Sequence, residues 1–279
     1  MGLFAGCTTL DQRQRAWVFQ PSDRTWPGGL AAAQGIADAW ISYRSAQTGQ
    51  PVKLHGLWLP QDRPDAPVLL YLHGARFDVR GSAHRMRRMH ELGFAVLGID
   101  YRGFGQSSPA LPSEALAVED AHAAWRWLAV QHPQSVRYVF GHSLGSAIAV
   151  QLASEVADNA GLLIEGSFTS MPDLVGTFEW GWLPVGPLIT QRFDAASRIA
   201  RVRSPVLVVH GSDDTLIQPE LGRALYALAP QPKRFVLVEG GSHHSTNALG
   251  QAQYQQALAD LFGLPGSVMP PLRRSRSTP

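Results

Sequence analysis

Residues Tyr138–Val150 read YVFGHSLGSAIAV: an apolar run, then Gly-His-Ser-Leu-Gly, then small apolar residues at helical spacing. Ser143 in this stretch is either a nucleophile or a small residue at a crowded strand-to-helix joint. The Gly-x-Ser-x-Gly spacing alone does not separate the two readings, because 27 of the 279 residues are Gly and chance matches are common. The flanking sequence decides.

On both sides of Ser143 the same unit recurs. VLLYLHG, FAVLGIDYRG, VRYVFGHS, GLLIEGS, PVLVVHG and RFVLVEGG are each short, rich in β-formers and closed by Gly or a small polar residue. Continuous apolar runs of this kind are how strands buried on both faces of a parallel sheet read. Helical segments separate them, the clearest being Ser113–Gln131, Ser143–Ala157, Pro219–Leu228 and Ala248–Phe262. Ahead of these units, Trp40–Ser45 and Val52–Leu59 form an antiparallel hairpin around the turn TGQP. The alternation predicts an α/β chain: about eight strands in a mostly parallel, doubly wound sheet with helices on both faces. The sheet domain runs over residues 40–262, after an N-terminal segment 1–39. Residues 263–279, without apolar periodicity, read as a fraying tail.

In such sheets the ligand crevice lies outside the carboxyl ends of the strands. Those ends carry His73-Gly74, Asp100, Ser143, Glu165, Asp213-Asp214 and His243-His244. Ser, Asp and His therefore reach one edge in the chain order of a nucleophile-elbow hydrolase.

The chain has 24 basic and 22 acidic residues, a net charge of +2, and its one dense basic run, Arg273–Ser277, lies in the tail. That balance argues against nucleic acid as a partner. No metal-ligand spacing and no Gly-rich phosphate loop occurs, so no cofactor and no metal is expected. No run approaches the roughly 20 apolar residues of a membrane span.

With these motifs in place, the chain resembles the α/β-hydrolase superfamily, and within it the small-lid, Bem46-like bacterial serine hydrolases. The resemblance rests on HGAR, DYRGFGQS, GHSLG, EGSFTS, HGSDD and GGSHH, in order across roughly Val52–Phe262. It implies an α/β-hydrolase fold and acyl transfer to water through an acyl-enzyme on Ser143. The family spacing assigns Asp214 as the acid and His243 as the base, leaving Asp213 as a turn residue, His244 as a loop residue and Glu165 as the reserve acid. The oxyanion hole falls to the backbone N–H groups of Ala75 and Leu144. His55, His73 and His142 take structural roles, with His73 bracing the oxyanion loop. The loop ARFDVRG departs from the family pattern by placing Asp78 where Asn is common, so Arg76 or Arg80 has to pair with it.

A short helical lid spans residues 168–200. Its Phe168, Phe178, Trp180, Trp182 and Phe193 either line an acyl pocket or form the core of a compact cap. The expected activity is a serine esterase for small-molecule carboxylic esters of small to medium acyl chains. A peptidase or thioesterase would use the same triad, and a non-catalytic binding module would have lost one of its three members. The single cysteine, Cys7, cannot form an intramolecular disulfide. It ends LFAGC, which resembles the lipobox of bacterial lipoproteins. On that reading Met1 falls inside a signal peptide, Cys7 carries a lipid anchor and the protein sits on the periplasmic face of a membrane. The alternative is an idle cysteine in a cytoplasmic protein.

Overall fold

A computed structural model describes residues 2–179, 183 and 185–264. The chain opens with helices α1 (Gly2–Phe19) and α2 (Gly29–Ala33), then strands β1 (Ala37–Arg44), β2 (Pro51–Leu59) and β3 (Val68–Leu72). Helix α3 (Ala83–Glu91), β4 (Ala95–Ile99), α4 (Glu114–Gln131), β5 (Arg137–His142), α5 (Leu144–Glu155) and β6 (Asn159–Glu165) follow. The cap segment holds α6 (Met171–Gly176) and α7 (Ala196–Ile199). The chain closes with β7 (Val206–Gly211), α8 (Pro219–Leu228), β8 (Lys233–Val238), α9 (Thr246–Leu249) and α10 (Gln251–Phe262).

The eight strands form one sheet in the order β1-β2-β4-β3-β5-β6-β7-β8. β2 is antiparallel to both β1 and β4, and the pairs from β4 onward are parallel. β3 shows why the apolar runs are continuous. Val68, Leu70 and Leu72 enter the core on one face of the sheet, Leu69 and Tyr71 the core on the other, and none is more than 1% exposed. Helices α4, α5 and α8 cover the first face; α2, α3 and α10 cover the second. Each fully buried large apolar side chain contributes on the order of 1.5–3 kcal/mol, so layers fed alternately by every central strand fix the register.

Three features depart from the sequence expectation. α3 is not among the clearest helices of the sequence because only Ala83, Met86 and Met89, one per turn, face the sheet, and the positions between are Arg and His. The last helix, expected over Ala248–Phe262, is broken at Gly250, where a Cβ would lie 2.8 Å from the Val238 side chain. The N-terminal segment is helical and docked: Val18 and Phe19 are buried in the core, Gln14 accepts the Thr190 N–H at 2.8 Å, and Gln191 Nε2 donates to Asp11 at 2.9 Å. Among the described residues no helix is long and apolar enough to cross a membrane.

Candidate active site

β5 ends at His142 and α5 begins at Leu144, so Ser143 alone makes the turn. Its φ of 56° and ψ of −126° hold a side chain in a strained region, at a cost of about 1–3 kcal/mol. The flanking glycines make the turn sterically possible. A Cβ on Gly141 would lie 2.3 Å from the Gly145 carbonyl oxygen, and one on Gly145 2.1 Å from that of Leu72. Ser143 N–H donates to the Glu165 carbonyl at 3.0 Å, and Ser146 Oγ donates to the Ser143 carbonyl at 2.6 Å. The elbow is thereby tied to β6 and to the first turn of α5.

Asp214 follows β7. Its Oδ1 accepts the N–H groups of Leu216 (3.0 Å) and Ile217 (2.8 Å), and its Oδ2 lies 2.8 Å from His243 Nδ1. Burial pushes the carboxyl up, but hydrogen bonds from His210 and His243 outweigh this and hold it well below the usual carboxylate range. A carboxylate only accepts, so Nδ1 carries the proton and Nε2 is left as the basic nitrogen of the neutral ring. In the sheet order β8 lies three places from β5, and the His243 loop crosses the end of β6 to face Ser143. Gly166 occupies the crossing. Its φ is 57°, and a Cβ there would lie 3.1–3.2 Å from the His243 ring. From the opposite side, His142 Nε2 donates to the His243 carbonyl at 3.0 Å. Burial, then the neighbouring Arg85 and His243, push the His142 imidazole well below its ordinary range, so it donates as a neutral ring. Ser143 and His243 line the same cavity, with no hydrogen bond between their side chains among the described residues.

The alternative residues are engaged elsewhere. His244 packs on Trp26, ring centroids 4.7 Å apart, and the ring that bonds Asp214 is that of His243. Asp213 is exposed and accepts from Ser212 Oγ. The Glu165 carboxylate turns away from His243: its Oε1 takes Arg85 Nε and Nη2 at 3.0 and 2.8 Å, and its Oε2 takes the Tyr254 hydroxyl.

The loop after β3 lies against the elbow, since a Cβ on Gly74 would be 3.0 Å from Ser143 Cβ. His73 Nδ1 donates to the Gly74 carbonyl at 2.6 Å, at the start of the loop. Arg76, at φ 84°, donates its N–H to the Phe19 carbonyl at 2.9 Å and so fastens the loop to the end of α1. Among the described residues, the Ala75 and Leu144 N–H groups donate to no protein acceptor. Asp78, fully buried, pairs with Arg80 (Nη2 2.6 Å) and accepts from the Thr25 hydroxyl (2.8 Å).

These groups open into a cavity of about 530 Å³. Of the expected pocket residues, Phe168 and Phe178 line it. Trp180 and Trp182 lie outside the described residues. Phe193 does not line it; it is buried with its ring centroid 5.6 Å from that of Phe19, so its aromatic character serves the core. Sequence reasoning missed two walls. One is Trp17, Val18 and Trp26, from α1 and the loop after it. The other is Arg76, Arg85 and Arg88, around α3, and no Asp or Glu lines the cavity among the described residues. The second wall had a visible signal: residues 76–91 hold five arginines against two acids in a chain of net charge +2. Among the described residues no group of three or more His, Cys, Asp or Glu is placed to hold a metal ion.

A family model described as "Serine aminopeptidase, S33" matches residues 63–181. An uncharacterized protein of Mycobacterium tuberculosis is 33% identical over 246 residues, which covers 87% of this chain and 84% of that protein. The lysophosphatidylserine lipase ABHD12 of Danio rerio is 30% identical over 208 residues; these are 64% of this chain and 54% of the lipase, so the match spans about half of that protein. Among solved structures, an esterase of Pyrococcus furiosus shares the fold at a TM-score of 0.66 and 19% identity, over 87% of this chain and 100% of that one.

Proposed function

Because the chain belongs to the α/β-hydrolase superfamily, we propose that it is a serine hydrolase cleaving carboxylic esters of small to medium acyl chains. The observation that carries this is the His243–Asp214 pair at 2.8 Å beside a strained Ser143 elbow on one cavity. Ser143 Oγ attacks the ester carbonyl as His243 Nε2 takes its proton, and Asp214 stabilises the imidazolium that forms. The N–H groups of Ala75 and Leu144 receive the negative charge that develops on the carbonyl oxygen. Collapse expels the alcohol, which leaves with the proton from His243. Water then repeats the sequence on the acyl-enzyme and releases the acid.

The aminopeptidase described by the family model offers a second reading, and the cavity argues against it. An aminopeptidase has to hold a cationic α-amine, and a wall with three arginines and no carboxylate among the described residues repels one. A panel of p-nitrophenyl esters, aminoacyl nitroanilides and acyl thioesters, run beside a fluorophosphonate probe, tests the proposal. Esters as the best substrates and an adduct on Ser143 are expected. An adduct on another serine, or faster nitroanilide cleavage, would overturn it.

Cys7, which falls within α1, carries a separate proposal of lipidation on the periplasmic face of a membrane. Mass spectrometry of the protein isolated from its native membranes reads it directly, and an unmodified Cys7 there ends the idea.

A further inference from the structure

The five arginines of residues 76–91 have different fates. Arg80 pairs with Asp78, Arg85 pairs with Glu165, and Arg87 donates to the carbonyls of Ala32 and Gln34, both at 2.6 Å. Arg76 and Arg88 are left on the cavity wall, and neither makes an ion pair among the described residues. Arg88 is nonetheless held in place: its Nε donates to Oδ1 of Asn247, itself fully buried, at 2.9 Å, which leaves the two Nη groups for other partners. Burial and then the charge of Arg85 lower its pKa, against the opposing pull of the Glu165 and Glu91 carboxylates. Part of the lining is apolar. Phe168, Met171 and Ile217 are buried in it, and Phe178 and Leu216 continue it to the exposed rim.

An esterase needs no guanidinium for the chemistry, because the charge that develops at the ester carbonyl is met by backbone N–H groups. Two arginines without ion pairs, in a cavity with an apolar stretch of lining and no lining carboxylate among the described residues, call for a second negative charge on the substrate itself. We propose that Arg76 and Arg88 form an anion subsite for a phosphate group on the alcohol half of the ester, with the acyl chain on the apolar wall. The substrate class is thus an amphiphilic phosphate-bearing acyl ester. This rests on the serine-hydrolase reading and adds specificity to it.

The test uses binding, so that it stands apart from catalysis. Ser143→Ala protein is titrated calorimetrically with 1-octanoylglycerol, with 1-octanoylglycerol 3-phosphate and with inorganic phosphate. The phosphate-bearing ester is expected to bind at least about tenfold more tightly than the neutral one, as guanidinium–phosphate pairs allow. Adding Arg88→Gln or Arg76→Gln should shrink that ratio to below about threefold, with Arg88→Lys restoring part of it. Equal binding of the two esters overturns the proposal, as does a ratio that neither substitution changes. Inorganic phosphate binding as tightly as the phosphate-bearing ester overturns it too, since the anion would then not be part of a substrate. Failure of the fluorophosphonate to label Ser143 in the wild-type protein refutes the hydrolase reading and leaves these binding ratios readable.

Discussion

His142 Nε2 lies 3.0 Å from the backbone carbonyl of His243, so the residue before the proposed nucleophile holds the loop that carries the proposed base. The two rings stand 4.8 Å apart and His142 is kept neutral. His142→Ala is therefore expected to lower kcat by about 10 to 100-fold with little change in KM, because a base misplaced by an ångström loses rate rather than binding. His142→Gln, which keeps a donor, should recover part of the loss. Equal kcat in wild type and His142→Ala would show that the loop is positioned without this bond.

The proposed triad separates the adjacent histidines. Ser143→Ala and His243→Ala should each lower kcat by about 10⁵ to 10⁶-fold with the far-UV spectrum unchanged. His244→Ala should stay within about tenfold of wild type, because its ring packs on Trp26 and does not reach Asp214. The reverse pattern in steady-state kinetics would move the base to His244.

Gly166 is a sharper probe of the same geometry. Gly166→Ala places a methyl 3.1–3.2 Å from the His243 ring at a φ of 57°, and should lower kcat at least about 100-fold and reduce Tm. Gly176 is the control: a methyl there would meet nothing within 4 Å, and Gly176→Ala should leave both unchanged. Similar kinetics for the two variants would mean that His243 does not cross the end of β6.

Acyl-chain preference follows from a cavity of about 530 Å³ capped by a short segment. Hydrolysis of p-nitrophenyl esters should be fastest for chains of about two to eight carbons, and faster than that of emulsified triglyceride. A kcat/KM series that keeps rising to long chains contradicts this.

Stability should depend on pH through His55, which is buried between Asp100 (3.0 Å) and Asp38 (2.8 Å). Burial alone would lower its pKa, but the hydrogen bonds to Asp100 and Asp38 raise it above the ordinary histidine value. A raised histidine adds stability that is complete below the unfolded value, about 6.5, and is lost as pH rises through the folded value. The Tm deficit of His55→Gln should therefore be larger at pH 5.5 than at pH 9. A deficit independent of pH would mean that the ring stays neutral throughout.

The sheet was legible because each central strand is a continuous apolar run closed by a small residue, and such runs have few competing readings. VLLYL and VLVVHG became β3 and β7 for that reason. The strand ends then aligned Ser143 with Asp213-Asp214 and His243-His244, and the choice of Asp214 and His243 within each pair came from the family resemblance. The cavity walls were harder to see. α1 is held by polar contacts, such as Gln14 to Thr190, and by two buried residues at its end, so it has no apolar stripe of the usual kind. α3 faces the sheet with three small or flexible side chains, and its arginines, which read as a solvated face, turn in part toward the cavity. The choice between Arg76 and Arg80 as the partner of Asp78 depended on side-chain direction, which spacing does not encode.

The bond from the Arg76 N–H to the Phe19 carbonyl joins two distant parts of the chain at one cavity. The strand ends that carry the proposed triad come from the middle and far end of the chain, whereas Trp17 and Val18 come from a helix that precedes the whole sheet. Substitutions at Trp17 or Val18 would thus reshape what the cavity accepts without touching a residue of the proposed triad. The Phe19 carbonyl is the point where that wall is fastened to the loop after β3.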